Sequence, residues 1–439
     1  KNSDGATFVK QDDIWQPRFG FSWDLLGDGR SKLFASVGRY SLPIAANVAL
    51  RAASASYYLD QYYTYDGIGA NGAPNVTGSF EDGANDSVVN GESGVTPDPR
   101  AVASKGLKPY TQDELIIGYQ QQVSSSIDFF NDWTVGIKAT YRRANKVIDD
   151  TCDSRSLYNA AAAAGYDLSN WSDPWTVPEG LPGCWIYNPG SDLKVTLDVD
   201  GNGTAEEITV PGASLGPKAK RTYKAVTLSA DKQTERWYAS FSYTWSKLEG
   251  NYEGLVKSTN GQDDTGTTSD FDFAEIMYGS DGYLFNDHRH SIKLFGGYKF
   301  TDEWSVGVNI LAQSGAPKSC LGGGYGSFDT EYGYSGVFHS CELNGRVPAD
   351  DIAKVGSAGR TPWQFTVSPN ITYTPNWLEG LSLQVSVLNA FNNIKPVQVY
   401  ETKYGRPSSA PTIRNYYNYN TPKYFNDPRA VRFQVQYDW

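Results

Sequence analysis

The sequence predicts an all-β fold: a transmembrane antiparallel β-barrel. Three observations predict it. The chain closes on a strand with a strict period of two. Long strands come in pairs whose connections alternate between short turns and long loops. A tryptophan stands beside each short turn.

In the closing strand, Val431, Phe433, Val435, Tyr437 and Trp439 make one face, and Arg432, Gln434, Gln436 and Asp438 make the other. In an outer-membrane barrel the first face meets lipid and the second a wet lumen. A half-buried strand of a soluble sheet shows the same alternation, so one strand does not decide.

Composition narrows the choice. The chain has 439 residues and a net charge of −11, with a mean hydropathy of −0.48. No apolar run reaches the roughly 18 residues that point to a membrane-spanning helix. Low hydropathy is also what alternating barrel strands average to. Aromatics are abundant, with 30 Tyr, 19 Phe and 12 Trp. The acidic balance offers nothing to the phosphates of a nucleic acid, so none is expected as a partner. No signal peptide is visible, and for a secreted barrel the native start is expected upstream.

The strands read in order as hairpins. The first pair covers 17–23 and 32–40 across a Gly27-Asp28-Gly29 turn. The second covers 111–123 and 132–143, where Val135, Ile137, Ala139 and Tyr141 alternate with Thr134, Gly136, Lys138 and Thr140. The third covers 221–230 and 236–248, with Trp237, Ala239, Phe241, Tyr243 and Trp245 on one side. The fourth covers 288–300 and 304–315, with Ile292, Leu294, Gly296 and Tyr298 sharing a face. The fifth covers 362–375 and 381–392, and contains Pro369, which cannot donate to a ladder. The terminal strand is the eleventh. Many have about ten residues or more, against about five to six in a soluble sheet; a tilted membrane strand needs that length.

Between the pairs lie loops at roughly 41–109, 144–220, 249–287, 316–361 and 393–428. Long loops alternating with short turns match extracellular loops and periplasmic turns. Trp23, Trp133, Trp237, Trp304 and Trp377 each flank a short turn, and Trp439 ends the chain on the same side. Indole favours the headgroup boundary, so these positions predict a periplasmic aromatic ring. A bacterial single-chain barrel has an even strand number. Eleven strands therefore predict the carboxy-terminal part of a longer barrel, with residues 1–16 in an outer loop.

The segment Pro17–Arg51 resembles a strand–turn–strand of Oar-like TonB-dependent outer-membrane receptors. Phe285–Phe300, Val387–Asn393 and Asp427–Trp439 resemble the same family in the same order. The likeness covers the strands well and the loops poorly. It implies a 22-stranded barrel, of which these are the last eleven strands, in the outer membrane of a Gram-negative bacterium. It also implies a plug and amino-terminal strands beyond this chain, TonB as a partner through them, and lipid around the wall. The plug and the TonB-contact box are absent from these residues, so transport rests on the resemblance.

Four cysteines lie in two loops, Cys152 and Cys184 in one and Cys320 and Cys341 in the other. An even number in a secreted context suggests one disulfide within each loop, with pairing between loops the alternative. Asp198, Asp200 and Asn202 have the spacing of a calcium loop, with the Thr204 carbonyl next. The twelfth position is Thr209 rather than Glu, and the flanks read as strands, so a plain hairpin turn explains the segment equally. Beyond that calcium candidate, no cofactor is expected. His288 and His290 lack a completing ligand and read as part of a rim cluster with Asp287 and Arg289. No nucleophile-elbow motif appears and His339 is isolated, so no enzyme is expected. Ala160–Ala164 suggests a short helix.

Tyrosine-rich segments are the candidate substrate contacts: Tyr57, Tyr58, Tyr62, Tyr63 and Tyr65 in the first loop, and Tyr416, Tyr417 and Tyr419 in the last. Phenols stack on and hydrogen-bond to bulky ligands at low entropy cost; packing between loops is the alternative use. The expected function is uptake of a bulky substrate across the outer membrane. A surface-interaction or scaffold protein without transport is the competing reading.

Overall fold

The computed structural model describes residues 7, 9–10, 14–79, 87–259, 261–262, 265–322, 334, 336–341, 352–405 and 414–439. Most of the expected outer loop at 1–16 lies outside them.

Eleven strands form one antiparallel meander in chain order. They are β1 (Arg18–Trp23), β2 (Ser31–Leu42), β3 (Tyr110–Gln122), β4 (Thr134–Lys146), β5 (Arg221–Gln233), β6 (Trp237–Gly250), β7 (His290–Lys299), β8 (Trp304–Gln313), β9 (Gln364–Tyr373), β10 (Leu381–Leu388) and β11 (Ala430–Tyr437). A two-residue strand, Gly282–Tyr283, adds to β6. Each expected strand is present, displaced by a few residues at most.

Register proves the alternation. Phe19, Val37 and Leu115 lie opposite one another across β1, β2 and β3. Tyr141 then continues the same row into β4. Phe241, Leu294, Ile310 and Val367 do the same across β6 to β9. The opposite face carries Ser242, Lys293, Leu311 and Thr366 in one row, polar except for Leu311. A one-residue slip anywhere would exchange the faces, so the apolar row fixes the register. The apolar face is open in the interior of the sheet: Leu115 is 47%, Ile137 49% and Leu228 45% exposed. Leaving such a face bare in water forfeits the burial that drives folding, so its medium is hydrocarbon. This is the wall of a transmembrane β-barrel.

Short turns close one end of the sheet. In the first, the Asp24 carboxylate accepts the backbone N–H of Gly27 (3.1 Å) and of Gly29 (2.6 Å). Both glycines have φ near +70°, where a side chain is strained. In the last, a Cβ on Gly380 would collide with the Asp438 carbonyl. Trp23, Trp237 and Trp304 begin or end strands at these turns, Trp133 stands one residue before β4, and Trp377 lies in the last turn. Pro369 is tolerated because the β9–β10 ladder covers only Asn370–Tyr373. At the other end a stacked trio, Tyr243, His290 and Trp363, marks the opposite boundary of the apolar band.

Candidate substrate-binding cap

The core of the protein is in the loops. Residues 147–220 build a small unit on the long-loop end. Strand Asp149–Thr151 pairs with Trp185–Tyr187. Beside it the Cys152–Cys184 disulfide joins Cα atoms 4.1 Å apart. Asp153 caps the helix Ser154–Ala163 by accepting the Arg155 N–H at 3.2 Å. The helix therefore starts before the alanine run that announced it. A hairpin, Leu193–Leu197 with Glu206–Val210, completes the unit. Leu157, Trp185, Tyr187, Val195 and Val210 are buried together, with Tyr252, Phe271 and Met277 of the third loop packed among them.

The other loops lock on. Val48 and Ala52 of the helix Ala46–Ala53 pack with Leu107, Ile148 and Ile186. Phe338 of the fourth loop packs on Phe273 and Ile276, beside the Cys320–Cys341 disulfide. Gln398 of the fifth loop donates to the Ser258 carbonyl. The Glu401 carboxylate accepts the Ser319 N–H at 2.8 Å. Together the five loops form one cap.

Several of its charged groups are shielded and paired. The Arg155 guanidinium bridges Asp153 (2.7 Å) and Glu275 (2.9 Å) and lies 4.2 Å from the Trp175 ring. Lys257 pairs with buried Asp270. Asp287, fully buried at the wall–cap junction, accepts from Arg289 (2.9 Å), from Arg360, and from the Leu248 N–H (2.7 Å). Only the Asp287–Arg289 half of the expected rim cluster forms, with Arg360 added; the histidines are not in it, His288 meeting the Ser314 carbonyl at 2.8 Å and His290 the Tyr243 hydroxyl at 2.9 Å.

Burial, then the neighbouring Asp150 charge, pushes the Asp149 and Asp272 carboxyls well above the usual range. Burial also raises Glu253 and takes Glu401 up to about 8. His339, fully shielded, is pushed down to about 3 by burial and then by the Lys257 charge, so it is neutral.

The tyrosines divide. Tyr57 and Tyr58 lie on the strand Tyr57–Asp60, and Tyr63 and Tyr65 on the hairpin Tyr63–Ile68 with Pro74–Ser79; these four and Tyr62 are exposed. Tyr417 is 96% exposed. Tyr416 is half-buried against Gly405, and half-buried Tyr419 is raised by burial.

At the calcium-like loop, Asp198 accepts the Gly203 N–H (2.9 Å), Asn202 donates to Asp200 (2.9 Å), and the Thr204 N–H donates to Asn202 (2.8 Å). Asp198 and Asp200 converge with Glu206, one oxygen of each lying within 4.8 Å of the others. Asp198 Oδ1 and Glu206 Oε2 are shielded and have no hydrogen-bond partner. Glu206 is the ninth position counted from Asp198, a ligand position of such loops that the sequence reading passed over, and it starts the return strand.

An apolar-outward meander crowned by folded loops defines the class: the wall and cap of a transmembrane β-barrel. No family model matches the chain. It is 25% identical over 478 residues to the TonB-dependent transporter Oar of Myxococcus xanthus, covering 96% of this chain. The chain spans 38% of that transporter's length. Among solved structures, the outer membrane transporter YddB from Escherichia coli is 12% identical, covering 96% of this chain and 40% of that one, with a TM-score of 0.46. The pyoverdine outer membrane receptor FpvA from Pseudomonas aeruginosa is 11% identical, covering 97% and 36%, with a TM-score of 0.40.

Proposed function

We propose that this chain is the carboxy-terminal wall and cap of a TonB-dependent outer-membrane transporter that takes up a bulky substrate. The reading is carried by the apolar-outward wall beneath an interlocked cap, in a chain similar to a TonB-dependent transporter over nearly all its length. The short turns face the periplasm, and the loops face outside. The remaining strands and a plug come from upstream residues, and TonB acts on the plug. The exposed tyrosines Tyr57, Tyr58, Tyr62, Tyr63, Tyr65 and Tyr417 meet substrate first; Tyr416 and Tyr419 back them. This chain's own part is binding and enclosure, with no covalent step.

The test uses the full-length protein and the purified periplasmic domain of TonB. Binding that is lost when the TonB-contact box is deleted supports transport. A full-length protein with no affinity for TonB sinks it and leaves a surface scaffold.

Calcium at Asp198, Asp200 and Glu206 is part of the same proposal, because those carboxylates repel one another without a cation. Calcium, and not magnesium, is expected to raise the melting temperature, and Asp200→Asn to abolish the gain. Equal melting curves with and without calcium reject it.

A further inference from the structure

The second and fourth long loops are each tied by a disulfide, whereas the third, roughly 249–287, has no cysteine. It holds instead a lysine against an aspartate. Lys257 Nζ contacts Asp270 Oδ1, and the two side chains are only 3% and 10% exposed. An ammonium carries three donors. Among the described residues, Asp270 supplies the one acceptor that Lys257 Nζ has. Two donors of a charged group left over in a shielded site are costly. Burial of such a pair gains little over a neutral replacement. An amide between the two side chains removes both charges and keeps a single N–H.

Two further features suit such a condensation. Glu253 lines the same small cavity as Lys257 and Asp270. Burial raises its carboxyl, which favours the protonated form that can give a proton and take one back. The cavity is about 20 Å³, room for one water. Thr259 and His339 also line it. Their Oγ1 and Nδ1 atoms are shielded and have no hydrogen-bond partner among the described residues. They are polar atoms beside the pair to which a released water can bond.

We propose that Lys257 and Asp270 join as a side-chain amide, an isopeptide cross-link made once as the cap folds and separate from the handling of substrate. The ammonium first gives a proton to the Asp270 carboxylate. The Nζ lone pair then attacks Cγ, so an N–C bond forms and one C–O bond breaks. Glu253 protonates the departing oxygen and takes the spare proton from nitrogen; one water leaves and Glu253 is regenerated. No oxidant or cofactor is needed. Proximity drives the step, since oriented groups on one chain reach effective molarities of about 10⁵ M or more.

The test digests the reduced, denatured full-length protein with trypsin and reads the peptides by mass spectrometry. Trypsin does not cut at an acylated lysine, and Lys257 is the one lysine or arginine between Lys247 and Arg289. The expected product is a single peptide, 248–289, lighter than its sequence by one water, with fragment ions that place the link between Lys257 and Asp270. Water lost by cyclisation at Asp281-Gly282 would leave Lys257 open to trypsin, so the missed cut separates the two. Glu253→Gln should restore the cut and give 248–257 and 258–289 at unmodified mass. The wild-type peptide map needs no variant, so it decides the matter even if Glu253→Gln does not fold. Separate, unmodified peptides from the wild-type protein overturn the proposal. A cross-link that persists in folded Glu253→Gln overturns the role given to Glu253.

Discussion

The wall and the cap of this protein are built on opposite principles. In the wall, Phe433 and Val435 stand bare and the strands are held by ladder hydrogen bonds. In the cap, Leu157, Trp185 and Tyr187 are sealed from solvent and held by packing, disulfides and buried ion pairs. The wall borrows its apolar environment from the membrane, so it needs no core. The cap stands in water and must enclose its own: the second loop supplies most of it, and the other loops bury their apolar residues by packing on it and on one another. This interlocking couples any movement of one loop to the rest.

Changes at the junction should have the largest effect. Asp287→Ala leaves Arg289 and Arg360 without their buried carboxylate. A loss of roughly 3–5 kcal/mol is expected, read as a lower unfolding midpoint of the cap while the barrel stays resistant to SDS. Next, removing a disulfide should loosen the cap and spare the wall. For bridges closing 32 and 21 residues, Cys152→Ser with Cys184→Ser, or Cys320→Ser with Cys341→Ser, should each cost about 3–4 kcal/mol by the chain-entropy model. Protease nicking confined to the loops would confirm it; collapse of the barrel would mean that the two regions are one cooperative unit.

Within the wall, face should matter more than position. Phe241→Arg places a charge toward lipid and should cost about 2–4 kcal/mol near the midplane, whereas Ser242→Arg, one residue on, points to the lumen and should be near neutral. Refolding into vesicles measures both. The smallest effect is a slope with pH. Glu401 has its carboxyl at about 8 in the cap, against an ordinary 4.5. Between those values the folded cap holds a proton that the unfolded chain has released. The Glu401 contribution to cap stability should therefore fall as pH rises from 4.5 to 8 and level off outside that window. Glu401→Gln should flatten the slope by this group's share, leaving that of Asp149, Asp272 and Glu253, which thermal melts of wild type and variant across that range would show.

The wall was legible because its information is local. Strand Trp237–Gly250 can be read from its own residues, since lipid on one side and water on the other impose a period of two. Even Pro369 fits once the ladder beside it is seen to stop at Asn370. The cap was not legible, because its contacts are long-range. Nothing near Arg155 announces Glu275, and nothing near Ser319 announces Glu401. The helix shows both limits: the alanines gave its end, while its start depended on Asp153 as a cap. The two disulfides were readable because each closes within one loop. The tyrosine clusters were visible as composition, but only the structure separated bare Tyr417 from half-buried Tyr416 and Tyr419.

One measurement bears on the central claim more directly than any other. Spin labels placed singly at Phe241, Ser242, Lys293, Leu294, Gln434 and Val435 of the full-length protein in bilayers would report collision with oxygen, which concentrates in lipid, and with a water-soluble nickel complex. The account predicts strict alternation, with oxygen favoured at Phe241, Leu294 and Val435 and nickel at Ser242, Lys293 and Gln434. Labels at Phe241, Leu294 and Val435 shielded from both reagents would place that face inside a dry protein core and contradict it.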